Sequence, residues 1–244
     1  MITRRALLGA GAAAGLLPLV GEASQEKKKL KVIAAGGHPD DPESGAGGTI
    51  ARYAELGHDA INLYLTRGEA GIKGRSHDEA AAIRTAEIEK ACAVLKCRAE
   101  FVGQIDGSTE ISVARYEEVR KLLEKEKPDV VLTHWPIDTH RDHRAISLLV
   151  YDAWLRLGKK FALYYFEVDL GAQTQTFHPT HYVNITSVEA RKREACYCHE
   201  SQNPKDGFYD KYHEPMARFR GMEAGVTYAE AFVRHAQSRE ETLP

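Results

Sequence analysis

The chain has 244 residues, 43% of them hydrophobic and 28% charged, the proportions of an ordinary globular protein long enough to bury a full core. A formal net charge of −2 excludes the large basic stripe that nucleic acid or an anionic membrane surface requires of its partner. Four cysteines (Cys92, Cys97, Cys196 and Cys198) are too few to staple a scaffold of this size, and Cys196-Tyr197-Cys198 matches no zinc-finger spacing, so all four read as free thiols.

In chain order, Thr3-Arg4-Arg5 opens an Ala/Gly/Leu-rich run that ends at Val20, with the small residues Gly21 and Ala23 placed for cleavage. Residues 1–23 are therefore expected to be a signal peptide, and the paired arginines give it the look of a twin-arginine signal, with a periplasmic or other extracytoplasmic destination. The apolar run is about 15 residues, short of the roughly 20 that span a bilayer, so no stable transmembrane span is expected in the mature chain. Residues 29–244 read as one domain.

From Lys29 onward, short apolar runs alternate with longer amphipathic ones, the pattern of βαβ units. Residues 30–35 form the first expected strand. A helix is expected over 49–56, with Thr49 as N-cap and Gly57 as its stop. A second strand over 60–66 leads into a glycine-rich loop, 67–74, and then a helix over 78–95 whose apolar face is Ile83, Ala86, Ile88, Ala91 and Leu95. Phe101 and Val102 belong to a short third strand, 113–125 is a helix, and 130–133 is the fourth strand. A helix over 141–157, strands over 161–168 and 182–185 with a polar linker at 171–176 between them, and a helix from a Ser187 cap to about residue 199 complete the regular part. The Tyr, His and Phe residues beyond it suggest a segment packed over the site or a partner. The predicted fold is α/β, a single Rossmann-like three-layer domain with a mostly parallel sheet and its site at the C-terminal ends of the strands.

Two clusters carry the chemistry. His38-Pro39-Asp40-Asp41-Pro42-Glu43 follows the first strand, and His134-Trp135-Pro136-Ile137-Asp138-Thr139-His140-Arg141-Asp142-His143 follows the fourth. A catalytic zinc takes three protein ligands and keeps a position for water, and His38, Asp41 and His143 make such a set. Asp40 is left over as a carboxylate able to accept a proton from that water. His140, near one helical turn from His143, can donate to a developing oxyanion or protonate a leaving nitrogen, and Asp142 can fix its tautomer or orient a neighbouring ring.

These residues carry a resemblance. His38-Pro39-Asp40-Asp41-Pro42-Glu43 with Gly47-Gly48-Thr49-Ile50, and Asp138-Thr139-His140-Arg141-Asp142-His143-Arg144, resemble the paired motifs of the PIG-L/LmbE-like superfamily of zinc-dependent N-deacetylases. Softer matches are the stretch from Leu65 to Gly71, Arg84 with Glu87, Asp106-Gly107, and His199-Glu200-Ser201-Gln202. The resemblance implies the same ligands (His38, Asp41 and His143), Asp40 as general base, and His140 as electrophilic or acid partner supported by Asp142. It also implies substrate contacts at Arg84 and Asp106, with Glu43 either binding substrate or capping the glycine-rich turn.

The expected function is thus a hydrolase using Zn2+, with Fe2+ an alternative metal, that removes the N-acetyl group from a small-molecule N-acetylglucosamine-type substrate. The sugar preference comes from the resemblance alone. Another reading is a zinc amidase acting on a different acyl amide or thiol glycoside. From another class comes a non-catalytic sugar- or nucleotide-binding module with Gly45-Ala46-Gly47-Gly48 around a phosphate, but this stretch lacks G-x-G-x-x-G spacing and a P-loop lysine. A homo-oligomer is compatible with the sequence.

Overall fold

The computed structural model describes residues 28–168, 172–202, 207–239 and 243–244. The expected signal peptide lies outside these residues, as does Gly171 of the polar linker. Among the described residues no helix is long and apolar enough to cross a membrane.

The first strand, β1 (Lys31–Gly36), leads through α1 (Asp41–Glu55) to β2 (Asp59–Tyr64), and α2 (His77–Leu95) leads to β3 (Arg98–Phe101). The chain then returns through α3 (Val113–Glu126) to β4 (Val130–His134) and through α4 (Arg141–Arg156) to β5 (Ala162–Phe166). After β6 (His181–Asn184) come α5 (Glu189–Tyr197), a π-helical turn at Tyr209–His213, α6 (Glu214–Ala224) and β7 (Ala229–Arg234). The seven strands form one sheet in the order β3-β2-β1-β4-β5-β7-β6. The first five are parallel, and β7 runs antiparallel to both β5 and β6.

Alternation along β1 explains the three layers. Val32 and Ala34 pack with Ala46 and Ile50 of α1, whereas Ile33 and Ala35 pack with Ile146 and Leu149 of α4 on the opposite face. Because both faces are covered, the strand is apolar throughout. The strand order reverses at β1, whose Ala35 lies opposite Thr133 of β4. Crevices form at such a reversal, outside the carboxyl ends of the two strands. Both His/Asp clusters begin there.

The helix expected at 49–56 starts eight residues early, at Asp41. Pro42 fits the first turn, where its missing N–H is no loss, and Asp41 and Glu43 suit the positive end of the helix dipole. Gly45 and Gly48 of the glycine-rich turn are instead close-packing positions in the helix: a Cβ on Gly48 would stand 2.6 Å from Cγ2 of Ile185. Gly48→Ala is therefore expected to cost about 1–3 kcal/mol of stability through overpacking, read as a lower Tm in a thermal melt. Thr49 is not an N-cap. Its N–H and hydroxyl, with the N–H of Gly48, bond to the buried carboxylate of Glu230 at 2.6–2.8 Å.

The face of α2 also differs from expectation. Ile83 and Ala86 turn outward while Arg84 and Glu87 are buried. The last expected helix is shorter, with Val188 rather than Ser187 at its N-cap. Strand β7 escaped the sequence reading because Glu230 interrupts its apolar run. That carboxylate is buried, paired with Lys192 Nζ at 2.6 Å.

Candidate active site and metal centre

At the end of β1, Gly36 and Gly37 let the chain fold back onto the start of α1. A Cβ on Gly36 would meet Pro42 Cδ at 2.6 Å, and one on Gly37 would meet His143 Cδ2 at 2.9 Å. His38 and Asp41 are thereby brought against His143, in the first turn of α4. The three donor atoms form a nearly equilateral triangle: His38 Nδ1 to Asp41 Oδ2 is 3.2 Å, His38 Nδ1 to His143 Nε2 is 3.3 Å, and Asp41 Oδ2 to His143 Nε2 is 3.1 Å. A tetrahedral ion with bonds near 2.0–2.1 Å spaces its ligand atoms about 3.3 Å apart, so these residues fit a divalent metal.

A carboxylate stands behind each of the two imidazoles. His38 Nε2 lies 3.1 Å from Asp142 Oδ2 and 3.3 Å from Asp106 Oδ1, and His143 Nδ1 lies 3.3 Å from Asp138 Oδ1. Such partners fix ring orientation and tautomer and raise ligand basicity. Burial opposes charge on both rings. For His38 the bonds to Asp106, Asp142 and Asp41 outweigh it and carry the pKa well above the usual value; for His143, Asp41 and Asp138 lift it to about 9.

Other groupings of three donors are less suited. In the set Asp41, His134 and His143, His134 Nε2 already accepts the Gly37 N–H at 3.2 Å, and its ring is stacked on His143 with centroids 3.9 Å apart. Burial and the neighbouring His143 hold its pKa down to about 4. The set His38, Asp106 and Asp142 uses the far nitrogen of His38, on the side of the orienting carboxylates. The set His38, His140 and His143 leaves out Asp41, whose Oδ2 lies 3.2 Å from His38 Nδ1 and 3.1 Å from His143 Nε2. No cysteine belongs to any of these groups among the described residues, and all four cysteines are free thiols.

His140 caps α4: its Nδ1 accepts the Asp142 N–H at 3.3 Å. An amide can only donate, so in the neutral ring the proton sits on Nε2. Burial, then the charges of His38 and His143, keep the pKa of His140 low, and it faces the cavity as a neutral donor. The carboxylate of Asp142 does not support His140, as the resemblance implied; it orients His38. It is held in turn by Gly107 N at 2.9 Å and Thr109 Oγ1 at 2.6 Å. Asp142→Asn is expected to weaken metal binding about 10–100-fold, measured by competition with a chromophoric chelator.

Beside the triangle lies a cavity of about 320 Å³. Asp40, Arg84, Asp106, Gly71, Ser44, Val168, Gln173, Phe208 and His213 are among the residues that line it. Asp40 shares the cavity with the triangle without being part of it; burial raises its pKa, and the charge of Arg84 opposes the rise. Glu43 is misplaced by the sequence reading. It is wholly buried between α1 and β2, accepting from Tyr64 Oη at 2.5 Å and Asn62 Nδ2 at 3.0 Å, and does not line the cavity. Sequence reasoning missed Asp138 and Gln173, which both reach His143 Nδ1, although Asp138 stands inside the second motif. Phe208 and His213 come from the C-terminal segment expected to pack over the site.

The glycine-rich stretch offers no phosphate cradle, since the amides of Gly48 and Thr49 are bonded to Glu230. What remains at this sheet edge is a three-donor metal site with a spare carboxylate and a neutral imidazole donor. Comparison with known proteins agrees. Residues 32–154 match the family model described as PIG-L, GlcNAc-PI de-N-acetylase. The chain belongs to the PIG-L family. It is 31% identical over 218 residues to diacetylchitobiose deacetylase of Thermococcus kodakarensis, covering 82% of this chain and 81% of that protein. The structure of N,N'-diacetylchitobiose deacetylase from Pyrococcus horikoshii superposes with a TM-score of 0.76 at 26% identity, over 86% of this chain and 85% of that one. GalB, the 4-carboxy-2-hydroxymuconate hydratase of Pseudomonas putida, reaches a TM-score of 0.74 at 21% identity over 88% of this chain and 100% of that one, a likeness of fold alone. PIG-L membership makes the protein an N-deacetylase, a hydrolase of amide bonds, whereas the hydratase shows that the fold by itself fixes no reaction.

Proposed function

We propose that the protein removes the acetyl group from an N-acetylglucosamine-type substrate with a zinc ion held by His38, Asp41 and His143, Fe2+ being the other candidate. The reading is carried by the triangle of donor atoms 3.1–3.3 Å apart, with the carboxylate of Asp40 beside it in one cavity. Two imidazoles and a carboxylate suit zinc. When bound, such an ion supplies an acidified water and polarises the amide carbonyl. Asp40 takes the proton of the attacking water and returns it to the departing nitrogen. His140 donates its Nε2–H to the carbonyl oxygen as negative charge develops there. Asp142 and Asp138 hold the two imidazoles in the tautomers that present Nδ1 and Nε2 to the ion. Asp106, and Arg84 beside it, face the sugar hydroxyls, and the products are acetate and a free amine.

The sugar assignment is supported by the names of the relatives, and the alternative of a different acyl amide or thiol glycoside shares the machinery. A screen of acetate release over N-acetylglucosamine, chitooligosaccharides and thiol glycosides, with metal content measured on the same sample, tests both. Acetate and amine are expected in equal amounts from an N-acetyl sugar; release of a longer acid or none at all overturns the reading. For the export reading of residues 1–23, N-terminal sequencing of the mature protein should find a start near Ser24.

A further inference from the structure

Asp40 sits at the N-cap of α1 but makes no side-chain cap bond. Its backbone is in the left-handed half of conformational space, with φ 104° and ψ −29°. A conformation of this kind costs an L residue roughly 1–3 kcal/mol and persists only where its surroundings impose it. A group bonded on both sides of it comes from α2, 44 residues away. Arg84 Nη2 donates both to Pro39 O and to Asp40 Oδ2, the latter at 3.1 Å. One guanidinium nitrogen thus fixes both the peptide group preceding Asp40 and the direction of its carboxylate.

Arg84 is itself seated firmly. It is 3% exposed, and its Nη1 lies against Gly68 and Gly71, where a Cβ on Gly71 would come within 2.6 Å of it. The slot is tied down from the other side. Gln202 Nε2 donates to Gly71 O at 3.0 Å, and Glu87, one turn along α2 from Arg84, accepts from Ser201 N and Oγ at 2.7 Å each. The soft motifs at Arg84/Glu87, Gly68 to Gly71 and Ser201-Gln202 therefore converge on one assembly around the buried Arg84 and Glu87. A contact made only for the sugar would need neither the bond to Pro39 O nor the glycine slot.

We infer that Arg84 is the positioning residue of the general base: seated in the Gly68/Gly71 slot, it holds Asp40 in its strained conformation and aims the carboxylate at the cavity. The inference rests on the proposed role of Asp40, and the experiment separates the two. With N-acetylglucosamine as substrate, kcat and KM are measured for Asp40→Asn, Arg84→Lys, Arg84→Ala, Gly71→Ala and the Arg84→Ala/Gly71→Ala double variant, with metal content checked in each. A misplacement near 1 Å costs about 10²-fold, so Arg84→Ala should lose roughly that in kcat, whatever the lost contact with the sugar adds to KM. Arg84→Lys should lose less, and guanidinium ion at sub-denaturing concentration should restore part of the Arg84→Ala rate. Gly71→Ala should lower kcat alone but add nothing to Arg84→Ala, the non-additivity of two changes acting through one group.

A second readout needs no turnover. In thermal melts of metal-free protein, Arg84→Ala and Asp40→Ala should be coupled, the double variant losing less Tm than the sum of the singles. A raised KM with kcat retained in Arg84→Ala, or additive Tm losses, overturns the inference. Parent-like turnover in Asp40→Asn would instead remove the base, and the inference with it.

Discussion

Asp40→Asn is expected to lower kcat for acetate release by about 10²–10⁴-fold, the range for loss of a general base, while leaving the metal stoichiometry unchanged. The substitution isolates chemistry from structure. An amide oxygen can still accept from Arg84 Nη2, which lies 3.1 Å from Asp40 Oδ2, so the hold on the turn survives. Asn tolerates positive φ about as well as Asp does, so the backbone at φ 104° is not further strained. Asp40 is outside the His38, Asp41 and His143 triangle, so the metal keeps its three donors. All that is removed is a basic oxygen facing the cavity. Turnover by Asp40→Asn at the parent rate, with metal still bound, would assign the base elsewhere, and Asp106 would then be the cavity carboxylate to examine.

The parts of this site legible in the sequence were those whose geometry is local. His38, Asp40 and Asp41 lie within four positions of a strand end, so their convergence follows from one turn. His143 follows because β4 is the neighbour of β1 in a doubly wound sheet, which makes their ends adjacent whatever the intervening chain does. The residues that were misread depend on packing over long separations. Glu43 looks like a site carboxylate from its motif, but it lies in the first turn of a helix whose start was placed at Thr49, and only the earlier start shows that it points inward to Tyr64 and Asn62. Gly48 and Thr49 looked like loop and cap because their amides have a partner 182 and 181 residues away, in a strand whose glutamate breaks the usual pattern. For Asp142 the residue types left open His140 or a neighbouring ring, the resemblance favoured its near neighbour His140, and its carboxylate reaches His38 across 104 residues. In each case the residue type announced a polar function, and the long-range partner decided which one.

His143→Ala is expected to empty the metal site and, with it, to reduce acetate release by about 10³-fold or more, since a bound ion contributes several kcal/mol to such a barrier. The choice of His143 over His38 follows from its surroundings. It contributes one donor, Nε2, and its other nitrogen is engaged by Asp138 and Gln173 at 3.3 and 3.0 Å. His134 stacks on the same ring at 3.9 Å, but its Nε2 already takes the Gly37 N–H. The same protonation chemistry sets a pH signature in the parent. Without metal, the carboxylates hold a proton on His143 up to about pH 9 and on His38 well above the ordinary histidine range. Loading a divalent ion must displace those protons, so apparent affinity should rise as pH rises toward 9, and binding should release protons into a weakly buffered solution. In His143→Ala the pH dependence of any residual binding should flatten, because one of the two competing protons is gone. Stoichiometric zinc in His143→Ala, or an affinity in the parent that does not change with pH, would place the ion on other donors.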